Sequence, residues 1–378
     1  MKPRQKQINL TEGSVWKVLF KLSLPLLLTS VLQALYGTVD MLVVGNFLDD
    51  AMLSAVSVSS QVMQILTASS IGFGVAGTVL VAKGFGAGKT QDQKKQLGTI
   101  FTLSFLIAVI LMILIGFLLN RPILALLKVP QEAFEGAVRY LGICGIGMVF
   151  IFGYNIICAV LRGIGDTVFP LIICVIAALV NLGLDLLFLP AMKLGISGAA
   201  SATVIAQVLA MVIALIYLYR KSPLQMPRQW RDFAVDPAIA KDVFRVGIPS
   251  ALQITVVYLS MLLVMRFVNS YGVVVSAAYG IGLKVDNFAT LPRQAVANST
   301  VAIVGQNAGA QKEMRIRKTV GSSVLMSVIV CCIVAAVVWI FAPWIARIFT
   351  QSPDVIVQTV RYLRIISFGY PILGIMGS

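Results

Sequence analysis

The chain has 378 residues, of which 58% are hydrophobic and only 12% are charged. A soluble domain of this length cannot cover so much apolar surface, so the composition excludes a soluble protein and predicts an all-α protein that crosses a membrane many times. There is no histidine, and the five cysteines lie in apolar runs without the spacing of metal ligands, which argues against imidazole catalysis and a metal centre. The net charge of +15 fits basic loops beside anionic lipid and requires no nucleic acid.

Ten apolar segments follow one another along the chain. Each is long enough to cross a hydrocarbon core, which takes about 20 residues in a helix. Prolines lie within or beside several of these segments, and a proline can bend a helix because it removes a backbone hydrogen bond. We predict spans at residues 15–46, 52–82, 97–119, 137–161, 167–190, 195–219, 243–270, 274–304, 320–345 and 358–378.

Lysine and arginine are distributed unevenly between the loops. With the N-terminus placed in the cytoplasm, 20 of the 30 basic residues lie on the cytoplasmic side, at most seven lie on the opposite side, and three lie inside spans. Cytoplasmic loops of membrane proteins carry an excess of Lys and Arg. We therefore expect an integral membrane protein with a cytoplasmic N-terminus.

The loop after the second span resembles a phosphate-binding loop, GFGAGKT at residues 84–90. Such a loop needs four residues between its first glycine and the Gly-Lys pair, whereas only three separate Gly84 from Gly88. A related segment, GQNAG at Gly305, lacks the lysine and threonine that correspond to Lys89 and Thr90. The segment therefore predicts the end of a helix at the cytoplasmic face, and not a nucleotide site.

Three sequence matches at nearly one offset reveal an internal repeat. RYL at Arg139 recurs at Arg361, 222 residues later, GFGAG at Gly84 recurs as GQNAG, and Pro25 aligns with Pro249. Each copy would hold an even number of spans, so both have the same orientation, as in transporters built from parallel repeats. We predict an N-terminal lobe at 1–222, a cytoplasmic linker at 223–242 and a C-terminal lobe at 243–378. By the offset, Ser378 corresponds to Ile156, so the pattern calls for two further spans and twelve in total.

Two aspartates lie deep within spans of the first copy. Asp40 is in the first span and Asp185 is in the fifth, with Asn181 four residues earlier on the same helix face. A carboxylate in hydrocarbon is costly and usually serves a function. Burial also favours the protonated form, so each aspartate could take up a proton near neutral pH and couple transport to a proton gradient. The alternative is a structural polar patch between helices.

The second copy carries a different set of charges. Val264 takes the place of Asp40, Arg266 follows it, and the eighth span contains Lys284, Asp286 and Arg293. Asp286 and Arg293 are seven residues apart, so they share a helix face and could pair. A structural ion pair and a second proton relay both remain open.

The repeat and four segments, in this order and spacing, resemble the multidrug and toxic compound extrusion (MATE) transporters. The segments are LYGTVDMLVVGN, GFGAGK, LRGIGDT and NLGLDLLF. The resemblance implies two six-helix bundles facing each other across a central cleft, with the second bundle truncated so that about ten of twelve helices are present. It also implies a non-enzymatic antiporter of the bacterial inner membrane. We expect a monomer without a cofactor that exports cationic or aromatic compounds in exchange for H⁺ or Na⁺.

The resemblance also implies particular site residues. Asp40, Asn181, Asp185 and Thr203 match the cation-coupling site of the family, and they would hold the metal ion if Na⁺ is the coupling ion. The seventh span lacks the glutamate that one branch of the family uses for sodium, so the sequence is more similar to the DNA-damage-inducible-type branch. We expect the substrate cavity to include Gln33, Tyr36, Arg266, Asp286 and Arg293.

Two other function classes follow from the same residues. A lipid-linked oligosaccharide flippase would need basic residues in its cleft for phosphate, and Arg266, Lys284 and Arg293 keep that alternative open. A membrane enzyme or a receptor is a third class, but the sequence has no nucleophile–base pair to support an enzyme.

Overall fold

The computed structural model describes residues 10–88 and 93–376, and this part of the chain is helical without strands. Short π-helical turns follow α3 and α7, and one 3₁₀ turn, Trp230–Phe233, precedes α9. The α-helices are α1 (Val15–Phe47), α2 (Asp50–Gly86), α3 (Gln93–Ile113), α4 (Asn120–Leu126), α5 (Gln131–Ile146), α6 (Met148–Gly163), α7 (Val168–Leu186), α8 (Gly195–Lys221), α9 (Pro237–Asn269), α10 (Val273–Gly309), α11 (Glu313–Phe349), α12 (Pro353–Ser367) and α13 (Tyr370–Met376).

The predicted spans correspond to these helices, with one short additional helix, α4, between the third and fourth spans. Among the described residues, seven helices are by themselves long and apolar enough to cross a membrane, and the bent pair α5–α6 adds an eighth. Helix α10 is also 37 residues long, but Lys284, Asp286 and Arg293 make its middle polar. The all-α architecture is therefore confirmed.

Two spans are broken at equivalent positions of the repeat. The fourth span bends by 46° between α5 and α6, at Gly147, and the tenth is interrupted between α12 and α13, beside Gly369. These glycines are 222 residues apart, which is the repeat offset. A side chain at Gly147 would lie 2.6 Å from the Val204 side chain, so glycine is required there for the close approach to α8.

The helices form an N lobe (α1–α8) and a C lobe (α9–α13), which meet through α1 and α2 on one side and α9 and α10 on the other. We call the membrane face at which α1 begins the N side. Contacts between the lobes lie in the N-side half: Ser23 Oγ donates to Ser299 Oγ over 2.9 Å, and Gln306 Nε2 donates to the Gly163 carbonyl over 2.9 Å. The central cleft is therefore sealed at its N-side end.

The two glycine segments of the repeat form this seal. Helix α2 ends at Gly86, and the backbone of Gly86 packs directly against that of Gln306. A side chain on Gly305 would lie 2.7 Å from Cβ of Ala82, so the helix ends approach as closely as their backbones permit. Gly88 has a φ of +66°, which ends the helix as predicted. Lys89 and Thr90 lie outside the described residues.

The connection between the lobes is held against α3. Thr102 donates to the carbonyl of Phe233 over 2.9 Å, and Asp236 N–H donates to Thr99 over 3.1 Å. Helix α9 begins at Pro237, inside the predicted linker and six residues before the predicted span. The local reason is that Asp236 caps the helix through Ala238 N–H and Pro237 occupies its first turn.

The segment before α1 is bound to the C lobe by Arg315. Its guanidinium donates to the carbonyls of Glu12 and Gly13 over 2.6 and 2.7 Å, and also to that of Leu10, which is fully buried. We expect Arg315→Ala to lower the stability of the sealed state by about 1.5–3 kcal/mol, the range for hydrogen bonds to a charged group. Thermal unfolding in detergent should show this loss. Arg317→Ala removes the same charge from an exposed position two residues later, and it should leave the unfolding midpoint nearly unchanged.

Candidate functional site

The two buried aspartates of the N lobe come together across the α1–α7 contact. Their carboxyl groups lie within hydrogen-bonding reach of each other, although Asp40 and Asp185 are in different spans. Asp185 is completely buried, whereas Asp40 retains partial exposure. The structure thus places an acidic pair inside the N lobe.

Asn181 and Thr203 complete a polar cluster with the two aspartates. Asn181 is 1% exposed, and its Nδ2 donates to Thr203 Oγ1 over 3.4 Å. Thr203 in turn donates to the Ala199 carbonyl one turn earlier in α8. Tyr36 extends toward Thr203 from α1, so five side chains from three helices share one polar site.

Four oxygen atoms of this cluster accept no hydrogen bond. Asp40 Oδ1, Asn181 Oδ1 and both carboxylate oxygens of Asp185 are buried without a hydrogen-bond partner. These four atoms can only accept when both acids are ionised, and an unsatisfied buried acceptor is costly. A proton shared between the carboxyl groups, or a hard cation such as Na⁺ among the oxygens, would satisfy them.

Sequence reasoning missed further side chains around Asp40. Tyr140 and Cys144, on α5, both lie close enough for their electrostatics to interact with Asp40, and Tyr140 also reaches Ser60 on α2. The repeated RYL motif could have pointed to Tyr140, because it contains this tyrosine and, in the second copy, Tyr362. A motif that marks the repeat thus also supplies a side chain to the site.

A polar cavity of about 200 Å³ lies between the lobes. Gln33, expected to line the substrate cavity, does line this one, together with Gln294 from the C lobe. Arg162, in the last turn of α6, also lines it. Tyr36 belongs to the aspartate cluster and is not part of this lining.

The charges predicted for the C lobe do not converge on this cavity. Arg266 is exposed in the last turn of α9, and Lys284 is exposed beside the Phe349 ring, 5.8 Å from its centre. Asp286 and Arg293 do not form a salt bridge. Within the described part of the chain, the salt bridge joins Arg121 and Glu135.

Asp286 instead belongs to an aromatic cluster. It interacts with Tyr370 of α13 and lies near Tyr279 and Tyr362, whose rings meet edge to face at 5.6 Å. A side chain on Gly282 would overlap the Tyr362 ring, so the glycine allows α10 to pack closely against α12. Tyr362 is the repeat equivalent of Tyr140, so an acid lies beside the repeated tyrosine in each lobe.

Comparison with known proteins gives a consistent assignment. The family described as MatE matches residues 25–187 and 249–377, once in each lobe. The probable multidrug resistance protein YpnP of Bacillus subtilis is 33% identical over 98% of this chain and 82% of its own length. The multidrug export protein MepA of Staphylococcus haemolyticus is 24% identical over 94% of this chain and 78% of its own length.

Solved structures share the fold. A MOP superfamily transporter from Pyrococcus furiosus superposes with a TM-score of 0.86 at 24% identity, over 100% of this chain and 85% of its own. An outward-facing multidrug resistance MATE family transporter superposes with a TM-score of 0.84 at 24% identity, again over 100% and 85% of the two chains. The chain is therefore a member of the MATE family of multidrug efflux transporters.

Proposed function

We propose that this transporter is a secondary antiporter that exports cationic or aromatic compounds in exchange for protons by alternating access. The observation that supports this most directly is the acidic pair of Asp40 and Asp185, whose buried oxygens have no donors. The pair needs a proton or a small cation to be stable in the lobe. Such a dependence is what couples an ion gradient to a change of conformation.

The coupling begins with a change in the contact between α1 and α7. When both carboxylates are ionised they repel each other, and one proton converts the repulsion into a shared hydrogen bond. Asp40 lies in the longer part of α1, which follows Pro25. At Pro25 the helix lacks one backbone bond, and Thr29 donates to the Pro25 carbonyl over 2.8 Å. Protonation would therefore bias the position of the part of α1 after Pro25.

Alternating access requires the N-side seal to open. The glycine contacts and interlobe hydrogen bonds lie at that end of the cleft, so the described arrangement is closed on the N side. With the N-terminus in the cytoplasm, as the basic loops indicate, this state faces outward. Substrate and proton need not share one site, because each only has to favour a different state.

Sodium is the second candidate coupling ion. Asp40, Asn181, Asp185 and Thr203 supply the oxygen atoms that a small cation prefers, and they would hold Na⁺ in place of the shared proton. Proteoliposomes containing a cationic dye should distinguish the ions when a proton or a sodium gradient is imposed separately. We expect efflux with the proton gradient alone; efflux only with sodium would reassign the ion, and efflux with neither would contradict antiport.

A further inference from the structure

Arg162 is the one basic side chain in the lining of the interlobe cavity. The lining comes from α1, α2, α6, α7 and α10, and it contains neither aspartate nor glutamate. Its other polar groups are neutral amides and hydroxyls, such as Gln33, Gln294 and Asn298. The cavity therefore carries a positive charge that its own walls do not balance.

The Arg162 guanidinium has no partner within the described part of the chain, where neither a hydrogen bond nor an ion pair engages it. It is half-buried beside Tyr154 and Cys158, and Nη2 lies 3.8 Å from the position that a Cβ on Gly74 would occupy. The absence of a side chain on Gly74 leaves room for the guanidinium along α2. An arginine held in this way keeps its charge, because a guanidinium is not deprotonated in proteins.

The nearest acid in sequence is already engaged elsewhere. Asp166 accepts a hydrogen bond of 2.6 Å from the Tyr217 hydroxyl and one of 3.1 Å from Phe169 N–H. Arg162 does lie in the last turn of α6, where the helix dipole favours a cation. That dipole is a weak substitute for a counter-ion, since a charge that is partly withdrawn from water gains most from an opposite charge and hydrogen bonds.

We propose that Arg162 forms an anion subsite that binds the oxyacid group, a carboxylate or a phosphate, of an amphiphilic compound in the interlobe cavity. Gln33 from the N lobe and Gln294 from the C lobe would donate to the same group, so the bound anion would bridge the lobes. Ile71 and Val75, in the same lining, offer apolar contact to the remainder of the molecule. This inference rests on the proposed transport through the cleft and specifies its substrate class.

The position of Arg162 also explains how one cleft could take zwitterions. Gln33 and Asp40 are seven residues apart on α1, which is about 10 Å along the helix axis. A compound with an acid at one end and an amine at the other would place its acid at Arg162, and its amine would extend along α1 toward the acidic pair. A guanidinium suits the acidic end because its donors match the two oxygens of a carboxylate or phosphate.

Binding of two matched dyes tests the subsite. Rhodamine 110 carries a free carboxylate, and rhodamine 123 is its methyl ester with the same cationic ring system. We expect the purified wild-type protein to bind the acid at least about tenfold more tightly than the ester, about 1.4 kcal/mol. Arg162→Gln should abolish this preference by weakening only the acid, and Arg162→Lys should keep part of it because the charge remains.

The controls separate a binding role from a structural one. Arg245→Gln, at an exposed position of α9, should leave the preference intact. Equal affinity for acid and ester in the wild type, or an equal loss of both in Arg162→Gln with normal gel filtration, would overturn the subsite. If Arg162→Gln does not fold, Arg162→Lys decides: a retained acid preference with unchanged ester affinity supports a charge-based site, and a complete loss of the preference contradicts it.

Competition with a short-chain phosphatidic acid identifies the source of the oxyacid. Displacement of the acid dye from wild type, but not of the ester from Arg162→Gln, would support a lipid phosphate as the occupant, and no displacement from wild type would support a small-molecule carboxylate. Gradient-driven efflux of rhodamine 123 separates a failure of the subsite from a failure of the proposed antiport. Efflux without an acid preference refutes the subsite alone, whereas no efflux of either dye refutes the proposed antiport.

Discussion

Asp40→Asn is expected to lower proton-driven efflux strongly while the protein remains folded in the membrane. The amide has the shape of a protonated carboxyl group but cannot exchange a proton, so it holds the acidic pair in one state. We expect efflux to fall by roughly 5- to 150-fold, the range of a coupling free energy of about 1–3 kcal/mol. Dye efflux from proteoliposomes under an imposed proton gradient measures this directly.

The partner residue and a distant aspartate provide the comparison. Asp185→Asn should cause a similar loss, and the double variant should be little worse than either alone, because the two carboxyl groups act as one unit. Asp242→Asn makes the same chemical change at an exposed position of α9 and should transport normally. Full transport by Asp40→Asn would show that the acidic pair is structural.

A disulfide across the N-side seal is expected to stop transport completely. Cβ of Ala82 lies 2.7 Å from the position of a Cβ on Gly305, so small adjustments would bring two cysteines to the usual separation of about 3.8 Å. Because α2 and α10 belong to different lobes, the crosslink would keep the N side closed. Ala82→Cys with Gly305→Cys should therefore be inactive when oxidised and should regain transport after reduction.

A crosslink within one lobe is the matched control for this experiment. Cβ of Ala159 lies 3.8 Å from the position of a Cβ on Gly77, and both residues belong to the N lobe. Ala159→Cys with Gly77→Cys should form a disulfide without affecting transport. Transport by the oxidised interlobe pair would mean that transport does not require the seal to open. Both pairs need a background in which the native cysteines have been replaced, namely Cys144, Cys158, Cys174, Cys331 and Cys332.

Local sequence patterns predicted the helices and the repeat well. The apolar spans are continuous enough that their positions follow from the length needed to cross a bilayer, and the break at Gly147 recurs beside Gly369 because the repeat preserves it. Asn181 and Asp185 share a helix face by their spacing alone. The start of α9 was missed because the apolar run begins after the Asp236–Pro237 signal that opens the helix.

The sequence alone determined that this protein is a helical, duplicated membrane transporter with two aspartates inside its first copy, because hydropathy and repetition are properties of neighbouring residues. Only the tertiary structure decided that Asp40 faces Asp185, that the glycine segments of the two copies pack against each other, and that Arg162 lines the interlobe cavity. These are contacts between helices far apart in the chain. They depend on which helix faces pack together, and hydropathy does not specify those faces inside a membrane.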